Sequence, residues 1–273
     1  MTIRGLEDRL SNIPDKIFAD EIQNGLKTKF IGREIFYYNE IDSTNDAALK
    51  LGEVHAKEGV CVFAEYQKKG RGRFGRSWIS PKGKNILMSI LFRPMKFNTA
   101  RIPQLTLTTA VSIIKVIYKM TRKKFGIKWP NDIVYHDEKV CGILTEMKQG
   151  PGSVPFVVVG IGVNVNAERN ELPAKSISLK EITEHPHSRQ KLARNFLEEI
   201  ETDYVRLRNG DFASLAKEWE NFSATSGKCV KVTLAGRTVQ GEAMGIDAEG
   251  ALWVRKDNGL QERILAGDVE HLR

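Results

Sequence analysis

Long apolar runs are missing from this 273-residue chain. Its apolar stretches, such as Val157 to Gly162, fall far short of the ~20 residues a bilayer-spanning helix needs. The first residues, Met1-Thr2-Ile3-Arg4-Gly5-Leu6-Glu7-Asp8, carry acids and lack the apolar core of a secretory signal. Cysteine is scarce. Cys61, Cys141 and Cys229 are widely spaced and odd in number, which argues against a disulfide framework and against a zinc site. Core thiols in a reducing compartment are the expectation, and with them cytoplasmic residence. No internal repeat or low-complexity tract stands out. Acidic residues are outnumbered, 34 against 42 basic ones, for a net charge of +8 and a pI near 9.3. Such a balance favours anionic partners (nucleotides, nucleic acids or acidic proteins) and does not choose among them.

What is present is ordinary for a globular protein: 41% apolar and 28% charged residues, in a length that can bury a large core without staples. Residues 1–34 read as a short helical lead-in, with Ile13-Pro14-Asp15 as a start signal and Gly25 near its end. Ile35-Phe36-Tyr37-Tyr38 reads as a strand. Ser43 or Thr44 then caps a helix running to Gly52. Val60 to Tyr66 and Ile86 to Phe92 are buried strand candidates. Pro103 to Met120 has apolar residues at helical spacing. Ile133 to Tyr135 and Val140 to Met147 flank His136-Asp137-Glu138 as a hairpin, and Val154 to Val165 is an apolar strand. Leu192 to Leu207 and Phe212 to Phe222 are amphipathic helices parted by Asn209-Gly210. Beyond Gly227, turn signals at Ala235-Gly236, Asp247-Ala248-Glu249-Gly250 and Asp257-Asn258-Gly259 mark off four short strands of a small β-barrel.

Chemistry concentrates in four segments. In Gln67-Lys68-Lys69-Gly70-Arg71-Gly72-Arg73-Phe74-Gly75-Arg76-Ser77-Trp78, five cations interleave with three glycines. Glycines let a backbone approach a ligand, and arginines donate bidentately to phosphate. Gly70, Gly72 and Gly75 satisfy the dinucleotide fingerprint, but Ser80-Pro81 and Gly83 make a poor following helix. A P-loop would need lysine where Arg76 stands. An arginine–glycine RNA box would lie in a polar tail, not between two apolar strands. An ordered anion-binding loop is the reading that fits, and Trp78 at its end could cover an adenine ring.

The second segment is Lys128-Trp129-Pro130-Asn131-Asp132, followed by Lys139 and Gly142 to Glu146. Asp132 and Lys139 lie on opposite arms of the hairpin, within reach of each other. Such a pair can hold a substrate carboxylate and accept an amine's proton, although spacing alone favours a surface salt bridge. The third segment, Asp42-Ser43-Thr44-Asn45, is by itself an N-cap. The fourth, Gly160-Ile161-Gly162-Val163-Asn164, puts glycines in a strand, a mark of close ligand approach.

Together and in this order, these segments resemble the biotin protein ligase family from about Ile35 to Phe222, and Gly227 to Arg273 resembles the SH3-like cap of the same enzymes. The resemblance implies an α+β fold: a mixed-sheet catalytic domain of the biotin/lipoate ligase type over 35–224, a C-terminal SH3-like barrel over 225–273, and the lead-in over 1–34. It implies ATP-dependent activation of biotin to biotinyl-5′-AMP, with Mg2+ expected beside the nucleotide, then transfer to a lysine of a biotin carboxyl carrier protein.

Residue by residue, it implies a biotin site of Ser43, Thr44, Asn45, Gln67, Gly70, Arg71, Gly72, Arg73, Lys139, Gly142, Gly160 and Gly162. The nucleotide side would be Arg73, Arg76, Trp78, Asn85, Asn131, Lys139 and Asn164, and the catalytic groups Asp132, Lys139 and Arg73. Bifunctional members carry an N-terminal winged helix-turn-helix; about 34 residues ahead of the catalytic region are too few for one, so no DNA binding is expected. Homodimerisation is plausible by the same resemblance. A lipoate–protein ligase and a nucleic-acid-binding regulator are the alternatives.

Overall fold

Period-two alternation in the central strands decides where the site can form. Residues 15–93, 101–150, 152, 154–234 and 236–272 are described by the computed structural model. Its main sheet has seven strands: β1 (Ile35–Tyr38), β2 (Cys61–Ala64), β3 (Ile86–Phe92), β4 (Gly126–Lys128), β5 (Asp132–Tyr135), β6 (Glu138–Gln149) and β7 (Pro155–Val163). Their order across the sheet is β1-β2-β3-β7-β6-β5-β4. The β1–β2 pair is parallel and the remaining pairs are antiparallel, so the sheet is mixed, as expected.

One face carries Met88, Ile90, Ile143, Val157, Val159 and Ile161 into the main core. Helices Ile102–Thr121, Arg189–Arg208 and Phe212–Phe222 pack together over this core, to which they contribute Leu105, Leu192 and Leu215. The other face is covered only in part, by the helix Thr44–Glu53. There Ala48 and Leu49 meet Val62, Leu91, Phe156 and Val158 in a small second core. Gly52 lets that helix sit close, since a Cβ there would lie 2.1 Å from the Phe156 ring. Continuing along β7 on this same face, Phe156 and Val158 give way to Gly160 and Gly162. Where apolar side chains stop and glycines begin, a cavity opens.

The lead-in contains the helix Ala19–Gln23, with Gly25 behind it at φ +89°; most of its start signal, Ile13-Pro14, lies outside the described residues. The segment is anchored by a buried cluster. Glu65 and Arg189, both 0% exposed, pair at 2.7 Å, and Glu65 also accepts from Ile17 N. Breaking so buried a pair by truncating one partner costs about 3–5 kcal/mol. Glu65 therefore serves the fold, two residues before Gln67.

The C-terminal region forms an antiparallel sheet of five strands, β8 (Cys229–Leu234), β9 (Arg237–Ile246), β10 (Leu252–Arg255), β11 (Gln261–Ile264) and β12 (Asp268–His271), ordered β11-β10-β9-β8-β12. Four strands were expected. The fifth, β12, follows a bend at Leu265-Ala266, two residues that carry no turn signal. Strand β4 was also missed; three residues are too few to show a period. Cys61 and Cys141 are buried core thiols, and burial pushes both well above the ordinary thiol range. Cys229 is exposed instead, because alternation on β8 turns it away from Val230 and Val232. Among the described residues no helix is long and apolar enough to cross a membrane.

Candidate functional site

Ser43 caps the helix Thr44–Glu53, accepting from Asp46 N at 3.4 Å, and the first helical turn aims Thr44 and Asn45 at the bare strand positions. Thr44 N donates to Gln67 Oε1 at 2.7 Å and Thr44 Oγ1 lies 3.0 Å from the same atom. Asn45 lies flat on Gly160: a Cβ there would stand 2.0 Å from Asn45 Oδ1. Its Nδ2 donates to Glu146 Oε2 at 2.7 Å and to Leu144 O at 3.3 Å. This wall is neutral, buried and fully cross-braced.

The glycine–arginine segment is an ordered loop, closed on itself by Gly72 N to Arg76 O (2.6 Å) and Trp78 N to Gly70 O (2.9 Å). Its tip, Arg73–Gly75, is a short 3-10 turn in which Phe74 and Gly75 adopt φ +55° and +72°. The glycine takes that geometry freely; Phe74 is 64% exposed there, with Arg73 stacked 4.8 Å from its ring centroid.

Each loop arginine is held by another segment. Arg71 pairs with Asp46 at 2.8 Å and Glu146 at 2.7 Å. Arg73 donates to Asn131 Oδ1 and to Gly267 O, both at 3.0 Å, and Arg76 pairs with Asp268 at 2.9 Å. Burial lowers the Arg73 pKa, against the opposing pull of Asp132 and Asp268; a guanidinium stays charged regardless.

Facing the loop, Lys139 Nζ meets Asp132 Oδ1 at 2.7 Å. A bulge between Ile133 and Val134 shifts the β5–β6 register, pairing Lys139 with Val134 and Asp132 with Gly142. Asn131 Nδ2 donates to Asp132 Oδ1 at 3.0 Å and to Ile143 O at 3.1 Å, orienting the carboxylate. Gly142 is bare beneath: a Cβ would lie 3.0 Å from Lys139 Nζ and 2.9 Å from the Trp78 ring. The Trp78 indole also covers Gly162, where a Cβ would be 2.4 Å away.

These pieces surround one cavity of about 120 Å³. It is lined by Ser43, Thr44, Asn45, Gln67, Arg71, Gly72, Arg73, Arg76, Trp78, Asn131, Lys139, Gly142, Gly160 and Gly162, all expected, and by Ser77, Ile143, Leu144 and Ile161, which were not. Four expected residues do not line it. Gly70 supports the loop beneath Trp78 O. Asp132 reaches the cavity through Lys139. Asn85 and Asn164 are buried and bonded to each other at 3.2 Å, and Asn164 Nδ2 donates to Lys139 O at 3.3 Å.

Glu146, Asp46, Gly267 and Asp268 escaped the sequence reading, although alternation along β6 would have put Glu146 on the face of Gly142. Among the described residues no cluster of three or more His, Cys, Asp or Glu side chains could hold a metal ion.

Residues 37–166 match the biotin/lipoate A/B protein ligase family and residues 225–272 the biotin protein ligase C-terminal domain. The bifunctional ligase/repressor BirA of Bacillus subtilis is 34% identical over 266 residues, 96% of this chain and 81% of that protein. The chain belongs to the biotin protein ligase family. Another member, the biotin–[acetyl-CoA-carboxylase] ligase of Mycobacterium tuberculosis, is 31% identical over 92% of this chain and 96% of its own length. Among solved structures of biotin protein ligases, that from Aquifex aeolicus in complex with biotin and ATP superposes with a TM-score of 0.76 at 28% identity, covering 88% of this chain and 99% of that one.

Proposed function

We propose that this chain, as a biotin protein ligase, activates biotin with ATP to biotinyl-5′-AMP and pyrophosphate and then biotinylates a lysine of a carboxyl carrier protein. The observation that carries this reading is the joining, around one cavity, of a neutral hydrogen-bonding wall and a cationic loop facing the Lys139–Asp132 pair. Biotin's uncharged ring suits the wall of Ser43, Thr44, Asn45 and Gln67. Its carboxylate and the α-phosphate are both anions, and their approach requires opposing charge; Lys139, Arg71, Arg73 and Arg76 supply it. Mg2+ accompanies the nucleotide in this reading, held mainly by phosphate oxygens and water, and would offset triphosphate charge.

The biotin carboxylate oxygen bonds to the α-phosphorus as pyrophosphate leaves. The mixed anhydride hydrolyses readily, so a loop that closes over it is required; Arg71, Gly72 and Arg73 fill that role. The carrier lysine's amine then attacks the acyl carbon, AMP departs, and Asp132 takes the amine's proton. Trp78 covers the adenine. Asn131 and Asn164 act on the nucleotide side by orienting Asp132 and Lys139, with Asn85 behind Asn164. Residues 35–224 form the catalytic unit, 225–273 the cap and 1–34 the lead-in, and the enzyme works in the cytoplasm. Incubation with biotin, Mg-ATP and a carrier domain should add one biotinyl group by mass; equal turnover of lipoate would overturn the specificity.

A further inference from the structure

We propose that Glu146 is a positioning residue that ties ring binding to loop closure, by holding the Asn45 amide of the wall and the Arg71 guanidinium of the loop on one carboxylate oxygen. The proposal rests on the biotin reading above and adds to it a residue that does not line the cavity.

Alternation along β6 places Gly142, Leu144 and Glu146 on one face. Gly142 and Leu144 line the cavity. Glu146 stops short of it and lines, with Leu144 and the loop, a neighbouring cleft of about 530 Å³. It therefore acts on a ligand in the cavity only through other side chains. Its Oε2 accepts from Asn45 Nδ2 and from Arg71 Nη2, each at 2.7 Å.

Each contact fixes its donor. Asn45 Oδ1 accepts from Ser89 Oγ at 2.6 Å, so its Nδ2 end faces Glu146 and, at a longer 3.3 Å, Leu144 O. An ionised carboxylate only accepts, so it excludes the flipped amide, which would set oxygen against oxygen. Without Glu146 that end of Asn45 keeps the long bond alone. The loop is tied at the same point. The other partner of Arg71 is Asp46 at 2.8 Å, an exposed pair that contributes little by itself. Glu146 is half-buried and makes charge-assisted bonds to both donors. Asn45 and Arg71 share no hydrogen bond with each other among the described residues; Glu146 is the side-chain partner they have in common. Each donor orders the carboxylate for the other, so a ring seated against Asn45 favours the loop position that Arg71 holds. Losing either donor then forfeits part of what the other contributes.

The test measures Kd for biotin by calorimetry, KM for ATP by biotin-dependent ATP–pyrophosphate exchange, and release of labelled biotinyl-5′-AMP into excess unlabelled adenylate, with thermal melts as a control on folding. Glu146→Ala should weaken biotin and speed adenylate release about tenfold each, while KM for ATP holds. Glu146→Gln keeps an acceptor for both donors without the charge and should lose about threefold in each. The deciding measurement is a double-mutant cycle. Asn45→Ala and Arg71→Ala combined should weaken biotin about fivefold less than the product of their separate effects. In a Glu146→Ala background the two effects should simply multiply. A side chain that merely supports the fold would lower the melting temperature and leave the coupling as it was. Coupling that survives the loss of Glu146, no coupling in its presence, or wild-type values in Glu146→Ala overturns the proposal. Should Glu146→Ala fail to fold, the cycle is run with Glu146→Gln; weakened coupling supports the proposal and unchanged coupling overturns it. A wild-type protein that forms no pyrophosphate with biotin would instead remove the function reading itself, and this proposal with it.

Discussion

The two sides of the cavity are built on opposite principles. Ser43, Thr44 and Asn45 are 2–4% exposed, and Thr44 and Asn45 are braced by the Ser89 hydroxyl of β3, the Glu146 carboxylate and Leu144 carbonyl of β6, and the Gln67 amide. Two of the loop's arginines are held by ion pairs whose side chains remain open to water, Arg71 at 38% exposed and Arg76 at 58%, while Arg73 is held by the neutral acceptors Asn131 Oδ1 and Gly267 O. Pairs of that kind contribute at most about 1 kcal/mol each, whereas leaving one buried polar group of the wall unsatisfied costs about 1–3 kcal/mol. On the proposed function, recognition falls to the buried, cross-braced side and containment to the more exposed side.

Disabling the chemistry should outweigh any change to either side. Lys139→Ala and Asp132→Ala are each expected to lower carrier biotinylation by about a thousandfold, read by mass over time; wild-type rates in both would remove their roles. On the buried side, Gly160→Ala puts a Cβ 2.0 Å from Asn45 Oδ1. Overpacking of this sort costs about 1–3 kcal/mol, so KM for biotin should rise by up to about a hundredfold, with a smaller effect on KM for ATP.

On the loop side, Arg73→Gly should let the adenylate escape and label bystander lysines, while adenylate still forms. Asp268→Asn, which frees Arg76, should change retention only a few-fold, less still at high salt. An effect as large as that of Gly160→Ala would erase the contrast between the two sides.

The smallest effect concerns how the C-terminal sheet is seated. Burial first, then Lys128 and Lys228, hold His271 below its ordinary value, with Asp137 opposing. Folding thus favours the neutral ring. This contribution is complete above the unfolded-state pKa of about 6.5 and is lost as pH falls through the folded value. Thermal melts between pH 7.5 and 5 should show a shallower decline for His271→Gln; identical slopes would exclude the effect.

Much of the fold and of the cavity was legible in the sequence, because it rests on local rules. Ser43 announces a cap, β3 appears with its full span from Ile86 to Phe92, and Gly160-Gly162 mark the gap. What stayed hidden depends on distant pairing. Ser89 is an unremarkable serine in a hydrophobic strand until Asn45 is laid across it, and Glu146 gains meaning only when Arg71 reaches it across 75 residues. Gly267 and Asp268 lie after a turn without a signature. Asn85 and Asn164 bond to each other rather than opening to the cavity, a geometry that residue type does not reveal.

The seat of the Trp78 indole has one more consequence. At about 120 Å³ the space left around it is below the ~300 Å³ at which small-molecule sites begin, and its Nε1 is buried without a partner among the described residues. For both reactants of the proposed function to enter, the ring would have to shift, and their affinities would then include the free energy of that shift. With four tryptophans in the chain, the difference in emission between wild type and Trp78→Phe would report when it moves.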